Sequence, residues 1–331
     1  MGIVAVLGAG SWGTALAEQL ARAGNEVRLW DRNPELAAKI QDCRENSVYF
    51  PGITVNSGIT ATADLSIAIQ DAEIAVVAVP SSAVRDVLTQ LNPFLNSSNL
   101  IVIAAKGIER GTLLLMHSVA REVLGEEREV ALLSGPSFAL EVLQDMPTAV
   151  TIAAANISSA NRAASFFHSG SFRVYTSQDL VGVEIGGATK NVIAIAVGAV
   201  DGVNIGLNAR AALITRGLAE ISRLALAMGG EPRTVMGLSG LGDLLLTATG
   251  DLSRNRRVGL GLAEGKKLEE ILVGLGQVAE GVENAEQIVA LAGIYSVNMP
   301  ITEEVLCLLR GEHTVKESVA RLLSRDPKSE F

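Results

Sequence analysis

The hydrophobic pattern changes period along the chain. Ile3 to Leu7, Glu26 to Trp30, Ile74 to Val79, Leu100 to Ala104 and Glu129 to Leu133 are short, mostly apolar runs without strict alternation. That is the signature of parallel strands covered on both faces. Between the first two runs, Trp12 to Ala23 sets Trp12, Leu16 and Leu20 at helical spacing. Strand, helix, strand with crossover helices predicts a doubly wound sheet, which a further strand at Ala149 to Ala153 would extend. Beyond about Leu180 the strand signal fades. Ala211 to Met228 puts Ile214, Leu218, Ile221, Ala225 and Met228 on one helical face, and Leu268 to Leu275, Ala285 to Ala292, Thr302 to Arg310 and Val315 to Leu323 read as helices. The pattern predicts a sheet-containing domain over 1–178, a mostly helical domain over 179–325 and a polar tail at 326–331.

Composition narrows the classes. The 331 residues correspond to about two domains, and 48% hydrophobic against 19% charged residues excludes a disordered chain. The longest uncharged stretch, Val87 to Ala105, is broken by Gln90, Asn92, Pro93 and further polar residues, so no membrane span is expected. The apolar start lacks the basic region of a secretory signal. Two cysteines, Cys43 and Cys307, and three scattered histidines, His117, His168 and His313, make no disulfide framework or metal site. A formal charge of −9 argues against nucleic-acid binding. A soluble, cytoplasmic enzyme is the remaining expectation.

Gly8-Ala9-Gly10-Ser11-Trp12-Gly13 follows the first apolar run directly and opens the first helix. In such a turn the first glycine permits the tight bend and the second lets the backbone approach a pyrophosphate. The third allows close helix–strand packing, and the helix N-terminus favours the negative charge. The motif in this context defines a Rossmann-type, doubly wound sheet followed by a mostly α-helical domain. The adenosine ribose is expected near the end of the second strand, at Asp31-Arg32. Asp31 suits a free 2′-hydroxyl and Arg32 suits a 2′-phosphate, so these two residues point to different nicotinamide cofactors.

Five further segments carry chemistry. Lys106, in Ala104-Ala105-Lys106-Gly107, stands past the carboxyl end of a predicted strand, where open α/β sheets bind ligands. Gly135, Pro136 and Ser137 form a sharp turn after Leu133 whose amides and hydroxyl can contact a ligand. In Glu184-Ile185-Gly186-Gly187-Ala188-Thr189-Lys190-Asn191, the two glycines lie one helical turn before Lys190 and clear space for a substrate. The apolar segment Val192 to Val200 then places Lys190 at the head of a buried helix. Burial lowers a lysine pKa toward the range useful to a general base. Asp243 and Thr247 share a helical face inside an apolar run, where a carboxylate needs a partner; a lysine would serve, as would a helix-capping role. Ser253 can cap the next helix and, with Arg254 and Asn255, form an anion site, while Arg256 and Arg257 read as solvated basic residues.

These segments, GAGSWGTALA at 8–17, AAKGIE at 104–109, LSGPSFALE at 133–141, EIGGATKNVIAIAVGAVDG at 184–202, GLSGLGDLLLT at 237–247, SRNRRVG at 253–259 and VAEGV at 278–282, resemble bacterial-type NAD(P)-dependent glycerol-3-phosphate dehydrogenase in family order. The resemblance implies reversible reduction of dihydroxyacetone phosphate to sn-glycerol 3-phosphate for glycerophospholipid synthesis, with NADPH or NADH and no metal, usually in a homodimer. It implies that Lys190 is the general acid–base residue and that Lys106, Gly135, Ser137, Asp243, Ser253, Arg254 and Asn255 bind substrate. Lys106 and Asp243 act beside Lys190 in catalysis. Gly8, Gly10, Ser11, Trp12, Gly13, Arg32, Tyr49, Lys106, Ala139, Arg254, Val278 and Glu280 are the implied cofactor contacts. Asp31 stands where the resemblance implies a small residue, a departure that runs against the NADPH preference common in the family. A dehydrogenase acting on a hydroxy acid and a dinucleotide sensor without turnover are the rival readings; a sensor has no need of Lys106, Lys190 and Asp243 together.

Overall fold

The computed structural model describes residues 2–327, 329 and 330. Met1, and Lys328 and Phe331 of the expected polar tail, lie outside the described residues. The chain divides into two compact units, one ending at Glu184 and the other starting at Ile185. The division falls within the helix Leu180–Gly202, whereas the 178/179 boundary expected from the sequence falls in the short turn before it.

The first unit is built on a sheet of β1 (Ile3–Leu7), β2 (Glu26–Trp30), β3 (Ile59–Thr62), β4 (Ile74–Val77), β5 (Leu100–Ile103), β6 (Val130–Ser134), β7 (Thr148–Ala154) and β8 (Phe172–Ser177). Their order is β3-β2-β1-β4-β5-β6-β7-β8. β1 to β6 are mutually parallel. The strand expected as a simple extension of the sheet is β7, and it runs antiparallel to β6, with β8 parallel to β7. The order reverses between β1 and β4, the switch point at which such sheets bind ligands.

Successive residues of each strand feed opposite cores. Val4 and Val6 of β1 join Leu16 and Leu20 of the helix Ser11–Arg22 and Phe167 of the helix Ile157–Phe167. Ala5 and Leu7 join Leu88 and Leu91 on the other face, with Met116 and Val119 of the helix Met116–Leu124. Covering both faces is what makes the strands near-continuous apolar runs.

In the second unit the helices Leu207–Ala227, Arg254–Ala263, Glu280–Ile294 and Pro300–Leu309 each pack on Leu180–Gly202, through Gly217 on Ile193, Gly259 on Ile195, Gly281 on Asn191 and Leu308 beside Ala199. A Cβ added at Gly198 would lie 2.1 Å from Arg256 O, and one at Gly259 would lie 2.1 Å from Ile195 O. The helices Leu180–Gly202 and Arg254–Ala263 therefore cross backbone against backbone at these two glycines, an approach no side chain permits. Leu180–Gly202 is long and apolar enough to cross a membrane by length and composition alone. Yet 94% of its most apolar window is buried by the protein itself, so packing accounts for its apolarity.

Candidate active site

The glycine-rich turn is held from both sides. Gly8 has φ +109°, open to glycine at little cost, and its N–H donates to Trp30 O at 2.8 Å. A Cβ at Gly13 would come 1.8 Å from Gly8 O, so the third glycine is needed for the helix to seat on the turn. A Cβ at Gly10 would meet no atom within 4 Å, leaving the open space that a pyrophosphate requires. Buried Asn46 donates to Ala9 O and to Thr14 Oγ1, both at 2.8 Å. The Ala9 N–H donates to Asp31 Oδ2 at 2.9 Å, and the Asn33 N–H donates to Asp31 Oδ1 at 2.9 Å. Trp12 Nε1 is buried without a hydrogen-bond partner. Open space over Gly10 and this unused donor fit a bound dinucleotide. Ser11 opens the helix, Arg32 is exposed, and Tyr49 is half-buried against the same core.

At the carboxyl edges of β5 and β6, Lys106 Nζ donates to Gly135 O at 3.3 Å and Ser137 Oγ donates to the same oxygen at 3.0 Å. Gly135 is again at positive φ (+142°), and a Cβ there would press on Val150 Cα at 2.9 Å. The turn is thus shaped by packing on β7, and Lys106, Gly135 and Ser137 converge on it. Ala139 opens the short helix that follows, Ala139–Leu143. The loop after Lys106 is anchored by a fork from Arg85: Nε and one Nη bind the two oxygens of Glu109 at 2.7 and 2.9 Å, and that same Nη reaches Glu122 at 2.8 Å. The Arg85 hydrogen bonds hold the Glu109 carboxyl below the ordinary glutamate range.

In the second unit Lys190 and Asp243 are 5% and 1% exposed. Lys190 Nζ donates to Asp243 Oδ1 at 2.5 Å and to Thr247 Oγ1 at 2.8 Å. The i and i+4 spacing therefore converges on the lysine as read from the sequence. Asp243 is the first residue of the helix Asp243–Thr249, and Gly242 holds the N-cap position, so the carboxylate serves the lysine and does not act as N-cap. Two expectations are corrected. Lys190 lies near the middle of Leu180–Gly202, because the helix begins at Leu180, ten residues before it. Gly186 does not clear space for a ligand: a Cβ there would lie 2.7 Å from Ser239 O. That contact seats the π-helical turn Leu238–Gly242, which leads directly into Asp243.

Ser253 caps the helix Arg254–Ala263, its Oγ accepting from Arg256 N at 3.2 Å. Arg254 donates to Gln277 at 3.3 Å. Asn255 donates to Asn191 Oδ1 at 2.9 Å and accepts from Gly281 N at 2.9 Å, while Asn191 donates to Glu280 at 3.1 Å. This amide chain ties the residue next to Lys190 to Asn255 and Glu280; Val278, just before, is exposed. Arg256 is not a solvated basic residue: Asp201 accepts two of its hydrogen bonds at 2.9 and 3.1 Å, and Asp251 a third at 3.0 Å. Arg257 is exposed.

Three features escaped sequence reading. For Asn191 the only signal in the sequence is an amide next to a buried lysine. Arg85 carries no motif. Glu184 accepts the His117 N–H at 2.9 Å and its other oxygen pairs with the His117 ring, fixing the start of the long helix to the helix Met116–Leu124. Among the described residues, no group of His, Cys, Asp and Glu could hold a metal ion.

A dinucleotide turn at the switch point of a parallel sheet, together with a buried lysine–aspartate pair in a helical unit, defines a two-unit nicotinamide-dependent dehydrogenase. The family described as NAD-dependent glycerol-3-phosphate dehydrogenase N-terminus matches residues 3–160, and its C-terminal counterpart matches residues 179–320. A glycerol-3-phosphate dehydrogenase (NAD(P)+) of Geobacter sp. strain M21 is 50% identical over 329 residues, covering 99% of this chain and 98% of the relative. The crystal structure of glycerol-3-phosphate dehydrogenase from Coxiella burnetii is 41% identical with a TM-score of 0.94, covering 98% of this chain and 99% of that one. The yeast enzyme GPD1 is 27% identical with a TM-score of 0.85, covering 98% and 99%. The chain belongs to the NAD(P)-dependent glycerol-3-phosphate dehydrogenase family.

Proposed function

We propose that the chain catalyses the reversible reduction of dihydroxyacetone phosphate to sn-glycerol 3-phosphate with NADH or NADPH. The observation that carries the reading is the buried contact of Lys190 with Asp243 and Thr247. A buried ammonium with a carboxylate partner is costly to maintain for stability alone, and it is the group that a carbonyl reduction needs. When bound, the nicotinamide supplies a hydride to the ketone carbon. Lys190, as ammonium, gives a proton to the carbonyl oxygen as it becomes an alcohol; in the reverse direction neutral Lys190 takes the hydroxyl proton. Asp243 and Thr247 orient the Lys190 Nζ. Lys106, held by Gly135 O beside Ser137, stabilises negative charge developing on the substrate oxygen. Ser253, Arg254 and Asn255 bind the substrate phosphate, so binding energy remote from the carbonyl positions it for reaction.

On this reading Gly8, Gly10, Ser11, Trp12 and Gly13 receive the dinucleotide. Arg32, Tyr49, Lys106, Ala139, Arg254, Val278 and Glu280 are its further contacts, and no metal takes part. The enzyme supplies glycerophospholipid synthesis in the cytoplasm as a homodimer. Nicotinamide absorbance followed with dihydroxyacetone phosphate, and in parallel with a 2-keto acid, tests the reading. Turnover confined to the phosphorylated ketone supports it, and turnover confined to the keto acid overturns it.

A further inference from the structure

An acidic residue at the carboxyl end of β2 ordinarily reads the 2′-hydroxyl of the adenosine ribose and so favours NADH. The surroundings of Asp31 give its carboxylate a different task. One oxygen accepts the Ala9 N–H, inside the glycine-rich turn, at 2.9 Å. The other accepts the Asn33 N–H, at the start of the helix Pro34–Cys43, also at 2.9 Å. Asp31 is itself fixed, since its N–H donates to Thr62 O at 3.1 Å and the preceding Trp30 O accepts the Gly8 N–H. The opposite side of Ala9 is held as firmly, its carbonyl accepting from buried Asn46. Ala9, in the turn that must approach a pyrophosphate, is thus held by side chains at both its N–H and its carbonyl, and Asp31 is one jaw of that clamp.

We propose that Asp31 is a positioning residue that pre-forms the glycine-rich turn through Ala9, and that it does not select between NADH and NADPH. The inference rests on the reading that this turn binds the dinucleotide. If it holds, removing the Asp31 carboxylate loosens the turn, and both cofactors bind more weakly to a similar degree. A carboxylate that reads the ribose would behave otherwise. Its removal would cost NADH a hydrogen bond to a charged group, about tenfold in affinity or more, and leave the turn intact.

The test is carried out on the full chain with Asp31→Ala and Asp31→Asn, the latter keeping one acceptor for the Ala9 N–H. Dissociation constants for NADH and NADPH are measured by titration without substrate, and amide hydrogen exchange over Gly8 to Gly13 is followed in the free protein. The expected result is faster exchange of the turn in Asp31→Ala, partial rescue in Asp31→Asn, and an NADPH-to-NADH affinity ratio within about tenfold of the parent in both. Unchanged exchange, or a ratio moved by more than about tenfold toward NADPH in Asp31→Ala, overturns the inference. Failure of the parent protein to bind either cofactor overturns the dinucleotide reading beneath it, a result distinct from a shifted ratio.

Discussion

Lys190 Nζ stands 2.5 Å from Asp243 Oδ1, with both side chains withdrawn from solvent. The pair joins two elements far apart in sequence: the long helix Leu180–Gly202 and the helix Asp243–Thr249, which follows a π-helical turn. Gly186 lets that turn rest on the long helix, so the glycine one turn before the lysine sets the position of the lysine's partner.

Stability and chemistry should separate at this pair. Asp243→Ala leaves an uncompensated buried ammonium and should cost about 3–5 kcal/mol. The double variant Lys190→Met with Asp243→Leu removes both charges and should recover most of that loss without recovering turnover. Urea denaturation of the two variants, alongside assays, checks this. A double variant no more stable than Asp243→Ala would show that the charge is not what the single substitution exposes.

The crossing at Gly198 and Gly259 should tolerate no side chain. In Gly259→Ala the new Cβ would lie 2.1 Å from Ile195 O, so the helices must separate. The expected cost is about 1–3 kcal/mol or more, as for overpacked cores. Because Asn255 rides on the same helix, its hydrogen bond to Asn191 should weaken too. A melting temperature equal to that of the parent would show that the helices yield freely.

Arg85 and Glu109 make stability depend on acid. The folded-state pKa of Glu109 is lowered, so its contribution is fully present above the unfolded value and is lost as pH falls through the folded one. The difference in urea midpoint between the parent and Arg85→Ala should therefore hold steady near neutrality and shrink below about pH 4. A difference independent of pH across that range would remove the carboxylate from the account.

Much of this was legible in the sequence, and the exceptions share a physical cause. β1 begins and ends where its apolar run does, because four of its five positions are buried, and β2 is marked by buried Val27, Leu29 and Trp30 although Glu26 is exposed and Arg28 half-buried. β3 has only four residues, two of them threonine, and β8 is an edge strand that exposes Tyr175. Neither offers a run to read. Asp243 and Thr247 were legible because helical spacing is local. The Asp201 partner of Arg256, the Glu109 partner of Arg85 and the Ala9 partner of Asp31 were not, since each contact is made by tertiary structure between residues that carry no mutual spacing. Gly186 marks the site's neighbourhood but not its neighbour: a glycine in a helix signals a close approach without saying what approaches.

Arg254 should act on binding. It sits at the first position of the helix capped by Ser253, and Arg254→Ala should raise KM for dihydroxyacetone phosphate and for the cofactor with a smaller change in kcat. Ser253→Ala should cost about 1 kcal/mol of stability through the lost cap. Steady-state kinetics with each ligand varied in turn, and a melting curve, read the two effects separately. Unaltered Michaelis constants in Arg254→Ala would take that side chain out of ligand recognition.

The most direct measurement on the central claim is the turnover of Lys190→Met, compared with the parent at saturating dihydroxyacetone phosphate and cofactor, with cofactor affinity determined independently. A proton donor removed from its substrate should lower kcat by about 10²–10⁴-fold while the cofactor still binds. A variant that binds cofactor normally and keeps a kcat within a few-fold of the parent would contradict the assignment of Lys190 to the chemical step.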